Sequence, residues 1–176
     1  MKLIATDLPG AFIVEPTLAN DERGFFARTF CAATFAKQGL NPAVAQCSVS
    51  FNHRRGTVRG LHYQAAPYEE TKLVRCTAGA ILDVIVDLRP GSLSWGQWIG
   101  INLSQENHYG LFIPAGFAHG FQTLVDNTEV FYQISPEYHP EGARGIRHDD
   151  PILAITWPLP ISVISERDRT LPGLQP

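Results

Sequence analysis

Two short segments concentrate the groups that can move protons. Arg59-Gly60-Leu61-His62-Tyr63-Gln64 puts a histidine on an extended segment where four of six residues are polar or glycine. A core strand there would carry Val and Ile. Gly60 leaves room for a ligand or a second backbone to come close. A lone strand histidine is ordinarily a hydrogen-bonded structural group. Here Lys72 opens the next predicted strand, and a histidine and a lysine on paired strands inside a barrel supply a base beside an electrophilic cation.

The second segment is Pro114-Ala115-Gly116-Phe117-Ala118-His119-Gly120. Its Pro-x-Gly-x-x-His spacing resembles the second half of the cupin motif, whose histidine binds metal. The first half needs two histidines one residue apart and a following glutamate, whereas His62 stands alone before Tyr63 and Gln64. Two single histidines without a carboxylate at ligand spacing favour a metal-free barrel in which His119 donates a hydrogen bond. Tyr132 shares a strand face with Val130 and Ile134 and is expected to point inward. Asp168 lies in a tail of exposed character, and spacing alone does not connect it to His62. Six arginines (Arg23, Arg28, Arg54, Arg55, Arg59, Arg75) fall in the first half of the chain. Their planar forks suit phosphate oxygens, although no Gly-rich phosphate loop accompanies them.

The elements that must position these groups are mostly strands. Thr57–Gln64, Lys72–Thr77, Gly79–Leu88 and Glu129–Ile134 read as strands, the first two joined by a turn around Pro67. In Gly79–Leu88 the even positions Leu82, Val84, Val86 and Leu88 are apolar, and the odd face includes Asp83 and Asp87. Trp95, Gln97, Ile99, Ile101 and Leu103 are expected on one face of a further strand. Breakers recur at short intervals, with 15 Gly and 13 Pro in 176 residues. This regular interruption predicts an all-β sandwich or barrel. The one clear helix is Ala32–Lys37, closed by Gly39. The proline-rich tail from Trp157 is expected to wrap the barrel surface.

Length allows one domain, residues 1–176, without repeat or linker. With 14 basic and 17 acidic residues the net charge is −3, so no strong positive field attracts nucleic acid or an anionic membrane. Hydrophobic residues at 44% and charged ones at 18% exclude disorder. No apolar run reaches a membrane span, and Met1–Leu8, with Asp7, has no signal-peptide character. Cys31, Cys47 and Cys76 lack a zinc-type spacing and read as free buried thiols in a reducing cytoplasm.

Asp21-x-Arg23-Gly24-x-Phe26, Arg59-Gly60-Leu61-His62-Tyr63-Gln64, Lys72-Leu73-Val74-Arg75, Asp83 through Arg89, Pro114-x-Gly116-Phe117-Ala118-His119-Gly120-Phe121 and Ser165-Glu166-Arg167-Asp168 resemble the dTDP-4-dehydrorhamnose 3,5-epimerase family in order. The match runs from about residue 3 to residue 169. This resemblance implies a metal-free, cofactor-free, cupin-type jelly-roll barrel with one or a few short helices. It also implies a homodimer acting on a nucleotide-diphosphate 4-keto-6-deoxy sugar. His62 then matches the general base, Asp168 its orienting carboxylate and Tyr132 the opposing acid. Lys72 and His119 match residues around the sugar, Arg23 and Arg59 pyrophosphate contacts, and Phe26 and Tyr138 aromatic groups near the base.

Departures from the family pattern gather on the nucleotide side. Arg28 stands where the family carries glutamate, Gln46-Cys47-Ser48 where Gln-x-Asn is usual, and Ala143 where a glutamate precedes Arg-Gly-Ile. Arg167 replaces the lysine beside the aspartate. Arginine only donates hydrogen bonds, and guanine O6 and N7 accept them, so GDP is an alternative nucleotide, with CDP a further one. The same residues are also compatible with a 3,4-ketoisomerase, a catalytically silent sugar-nucleotide binder and a metal-dependent cupin dioxygenase.

Overall fold

The computed structural model describes residues 1–175. Thirteen strands follow in chain order: β1 (Lys2–Ala5), β2 (Phe12–Glu15), β3 (Leu18–Asp21), β4 (Gly24–Ala27), β5 (Gln46–Asn52), β6 (Val58–Gln64), β7 (Thr71–Ala78), β8 (Ala80–Asp87), β9 (Trp98–Ser104), β10 (Gly110–Ile113), β11 (Phe117–Thr123), β12 (Thr128–Ser135) and β13 (Ala143–Gly145). Two short helices complete the fold, α1 (Ala32–Lys37) and α2 (Glu166–Arg169). The strands form a six-stranded sheet in the order β1-β2-β10-β7-β12-β5 and a five-stranded sheet in the order β13-β6-β11-β8-β9. The hairpin β3–β4 stands apart as a third, two-stranded sheet. This is the expected all-β, cupin-type jelly roll.

Period-two alternation sorts side chains into three apolar layers. Between the two sheets lie Val74, Cys76, Ile81, Ile85, Leu103, Leu111, Ile113, Phe117, Phe121 and Val130. Outside the five-stranded sheet, Leu61, Val84, Val86 and Ala118 pack under Ile146, Leu153 and Ile155 of the C-terminal segment. Outside the six-stranded sheet, Leu73 and Phe112 pack against Phe35 of α1. The even-numbered face of β8 therefore meets the covering tail rather than the barrel interior, and its odd face carries Asp83 into the barrel. The tail does wrap the barrel: Val58 N–H donates to Val163 O, and Gln122 bonds both ways with Leu159.

Three expectations change. Trp95 lies in a turn and Gln97 just before β9, because the strand begins only at Trp98. His62 and Lys72 are not on paired strands: β6 and β7 belong to different sheets, so the two side chains face each other across the barrel. The in-register partner of His62 is His119 on β11. Of the cysteines only Cys76 is buried, while Cys31 is half-buried and Cys47 exposed. Cys47 lies on β5, an edge strand whose outward positions nothing covers.

Gly60 admits a second backbone. It has φ of 115°, and a Cβ there would stand 2.6 Å from Gly120 Cα and 2.8 Å from His119 O. Gly60→Ala is expected to cost upwards of about 2 kcal/mol through strain and overpacking, measured by denaturant unfolding. The turn after β8 hangs on Asp87, a fully buried carboxylate. It accepts from Arg89 Nη2 at 2.6 Å and from the Ser92 and Ser94 hydroxyls, each at 2.7 Å. Burial pushes this carboxyl up, but those hydrogen bonds outweigh it and hold it well below its ordinary 3.8. A depressed carboxyl adds stability above its unfolded value that is lost as pH falls. Stability is therefore expected to fall below about pH 4. Asp87→Asn should cost about 2 kcal/mol at pH 7 and flatten that acid slope, read from urea midpoints across pH.

Candidate active site

One cavity of about 330 Å³ opens between the sheets. Its lining includes Ser48, Arg59, His62, Glu70, Lys72, His119, Tyr132 and Tyr138. Odd-even alternation explains the selection, since Lys72 shares its face of β7 with Val74, and Tyr132 shares its face of β12 with Val130 and Ile134.

His62 Nε2 lies 2.7 Å from Asp168 Oδ1. Asp168 comes from α2, where Ser165 caps the turn by accepting from the Asp168 amide at 3.0 Å. Its second oxygen accepts from Gly60 N–H at 3.1 Å. The side chain is buried, so the tail residue of exposed character becomes the support of the strand histidine. Burial pushes the Asp168 carboxyl up, and the bonds from His62, Gly60 and Ser165 overcome this, leaving it below the ordinary value. An ionised carboxylate only accepts, so His62 Nε2 is the donor, and in the neutral ring Nδ1 is the nitrogen that carries the lone pair. A base needs that tautomer.

A second pair mirrors it. His119 Nε2 lies 2.7 Å from Asp83 Oδ1, both side chains being buried, and Asp83 Oδ2 has no hydrogen-bond partner. The His119 and Tyr132 rings meet edge to face at 6.0 Å. Burial, and then the Asp83 carboxylate, push the Tyr132 phenol above its ordinary value, so it keeps its proton at neutral pH. Lys72 Nζ lies 2.7 Å from Glu70 Oε1.

Arg59 differs from the other cations of the cavity. Its Nε donates to Asn52 Oδ1 at 2.7 Å and its Nη2 to Phe51 O at 3.4 Å, and no carboxylate pairs with it among the described residues. Among those residues no group of three or more His, Cys, Asp or Glu converges as a metal ligand set.

Several expected contact residues lie elsewhere. Gln46 does not line the cavity but accepts the Tyr138 amide at 2.8 Å, fixing the rim that carries Tyr138. Arg23 pairs with Asp21 at the tip of the β3–β4 hairpin, and Phe26 on the same hairpin is 76% exposed. Arg28, just past β4, is also exposed. Arg167 lines a different hollow with Tyr63 and Arg144 on the outer side of β13 and β6. Two carboxylates of the site, Glu70 in the cavity lining and Asp83 behind His119, were not singled out as site residues by the sequence reading. Glu70 precedes Lys72 by two residues, the spacing that puts extended side chains on one face. Asp83 lies on the odd face of β8, and the alternation singles it out once that face is known to point inward.

Comparison with known proteins agrees with this geometry. The family model described as dTDP-4-dehydrorhamnose 3,5-epimerase matches residues 5–176. A dTDP-4-dehydrorhamnose 3,5-epimerase of Methanothermobacter thermautotrophicus is 46% identical over 171 residues, covering 96% of this chain and 91% of the relative. The crystal structure of a dTDP-4-dehydrorhamnose 3,5-epimerase from Bacillus anthracis, with TDP and PPi bound, superposes with a TM-score of 0.95 at 42% identity, covering 98% of this chain and 99% of that one. A 3'-monoepimerase from Streptomyces bikiniensis, in complex with dTDP-quinovose, gives a TM-score of 0.89 at 34% identity, covering 96% and 85%. With its fold, its paired histidines and its near full-length match in agreement, the chain belongs to the dTDP-4-dehydrorhamnose 3,5-epimerase family.

Proposed function

We propose that the cavity inverts C3 and C5 of a dTDP-linked 4-keto-6-deoxy sugar. What carries this reading is a carboxylate-backed histidine on one sheet facing a protonated tyrosine on the other, with a lysine and a second histidine beside them. Both C3 and C5 flank the C4 carbonyl, so loss of either proton gives an enolate with its charge on O4. His62 Nδ1 takes the proton, and the Asp168 carboxylate favours the imidazolium that results. Lys72 and His119 stabilise the charge on O4, the oxyanion-type contribution that is usually largest. The Tyr132 hydroxyl then delivers a proton to the opposite face of the ring, inverting the centre. Exchange with water returns both groups to their starting states. No step calls for a metal or redox cofactor.

Arg59, free of a carboxylate partner, is proposed to take the diphosphate, and Tyr138 to stack on the base, with Ser48 at the same end. Arg28 lies away from the cavity of its own chain, so nothing in the geometry favours GDP over dTDP, and the TDP held by the Bacillus anthracis relative supports dTDP. Inversion at C3 alone is the second reading, favoured by the fold match to a 3'-monoepimerase. The chain is further proposed to act as a homodimer in the cytoplasm, its three cysteines free. β5 is a sheet edge on which Val49 and Phe51 are exposed, and the β3–β4 hairpin exposes Phe25 and Phe26. Such an edge is normally covered, and a second copy would cover it and bring hairpin residues Arg23, Phe26 and Arg28 to another protomer.

Proton NMR in deuterated buffer with dTDP-4-keto-6-deoxyglucose tests the chemistry. Loss of both the C3 and C5 proton signals is expected; loss at C3 only selects the second reading. Loss confined to GDP-linked substrate would change the nucleotide. His62→Ala and Asp168→Asn should each slow exchange by about 10²-fold or more. Tyr132→Phe should still incorporate deuterium through His62 while inverting about 10²-fold more slowly, and normal inversion by this variant would remove Tyr132 from the mechanism. Light scattering of purified protein should give about twice the 19.4 kDa chain mass. Val49→Lys with Phe51→Glu should return it to the monomer mass.

A further inference from the structure

Glu70 is the one charged side chain of the cavity lining that the reaction above leaves without a role. Both members of the Glu70–Lys72 pair keep only 10% of their side-chain surface exposed, so this is no surface ion pair. The second Glu70 oxygen lies 3.5 Å from Gln64 Nε2, and Gln64 Oε1 accepts the His139 amide at 2.9 Å. The rim backbone at His139, next to Tyr138, is thus linked through Gln64 to the same carboxylate that holds Lys72.

A lysine ammonium is a point charge on a flexible four-carbon stem. Unheld, it would be free to swing toward an incoming diphosphate. Engaging Glu70 uses one of its three N–H donors and leaves two for the substrate. We propose that Glu70 is the positioning residue for Lys72, holding its ammonium where negative charge develops on the keto oxygen and away from the diphosphate. The inference rests on the epimerase reading and extends to Lys72 the arrangement seen at His62 and His119, each with its own carboxylate.

The test compares Glu70→Gln, Glu70→Asp, Lys72→Ala and the Lys72→Ala/Glu70→Gln double variant in the deuterium-exchange assay. A displaced cation lowers kcat, so Glu70→Gln is expected to lose about 10- to 100-fold in kcat with KM changed less than about threefold. Glu70→Asp, which keeps the charge on a shorter stem, should recover part of that loss. In the Lys72→Ala background, Glu70→Gln should cost nothing further, because its effect runs through the missing ammonium. Unchanged kcat in Glu70→Gln overturns the proposal. So does a loss confined to KM, which would make Glu70 a ground-state substrate contact, or a full additional loss in the double variant. Absence of exchange in the unsubstituted protein overturns the epimerase reading and this inference together. Normal exchange there with Glu70→Gln equally active overturns this inference alone.

Discussion

Carboxylates removed from water dominate the organisation of this barrel. An ionised carboxyl in a protein interior is tolerable only with donors or a cation at contact distance. Asp83, Asp87 and Asp168 are all buried, and Glu70 is nearly so. Each has a nitrogen donor at 2.6–2.7 Å: His119, Arg89, His62 and Lys72 in that order. One pair holds a turn together. The other three converge on the cavity, where the requirement that stabilises the fold also fixes the tautomer or position of a reactive group.

The surrounding structure follows from that convergence. His62 and His119 are register neighbours on β6 and β11, yet their carboxylates reach them from α2 and from β8. Tyr132 comes from the facing sheet, so in the proposed reaction a sugar ring entering the cavity would meet His62 on one side and Tyr132 on the other. Gly60 is needed because β6 and β11 approach closely beneath the histidines. Any side chain there would push apart the strands that carry them. The C-terminal segment has two duties, sealing the outer face of the five-stranded sheet and delivering Asp168. Stability and chemistry are therefore coupled through one stretch of chain.

The same environment separates the reactive groups by protonation state. Burial and the Asp83 charge keep the Tyr132 phenol protonated, whereas hydrogen bonds keep Asp168 ionised despite its burial. At Cys76 burial prevails: it and the nearby Asp83 push the thiol up to about 12 despite the backbone hydrogen bonds at Ala78 and Gln105. Arg59 keeps its charge available because its neutral partners are an amide and a carbonyl oxygen.

Alternation made β6, β7, β8, most of β9 and β12 legible, along with the early helix, the glycine at position 60 and the candidate proton-moving groups, because alternation and residue chemistry are local properties. The short strands β1–β4, β10 and β13, and β5 and β11, were not legible in this way. The sequence also carried the family resemblance, through ordered motifs spread along nearly the whole chain. Which face of β8 looks inward was not legible, since a tail more than sixty residues away covers the apolar side. Nor was the placement of His62 and Lys72 on opposite sheets, because a strand's neighbours depend on jelly-roll connections and not on its own residues. The partnership of His62 with Asp168, separated by 106 positions, was decided by tertiary structure alone. So was the recruitment of Glu70 and Asp83. A carboxylate's partner is whichever donor the folded chain brings within reach once water has been excluded, and no periodicity in the chain encodes that meeting.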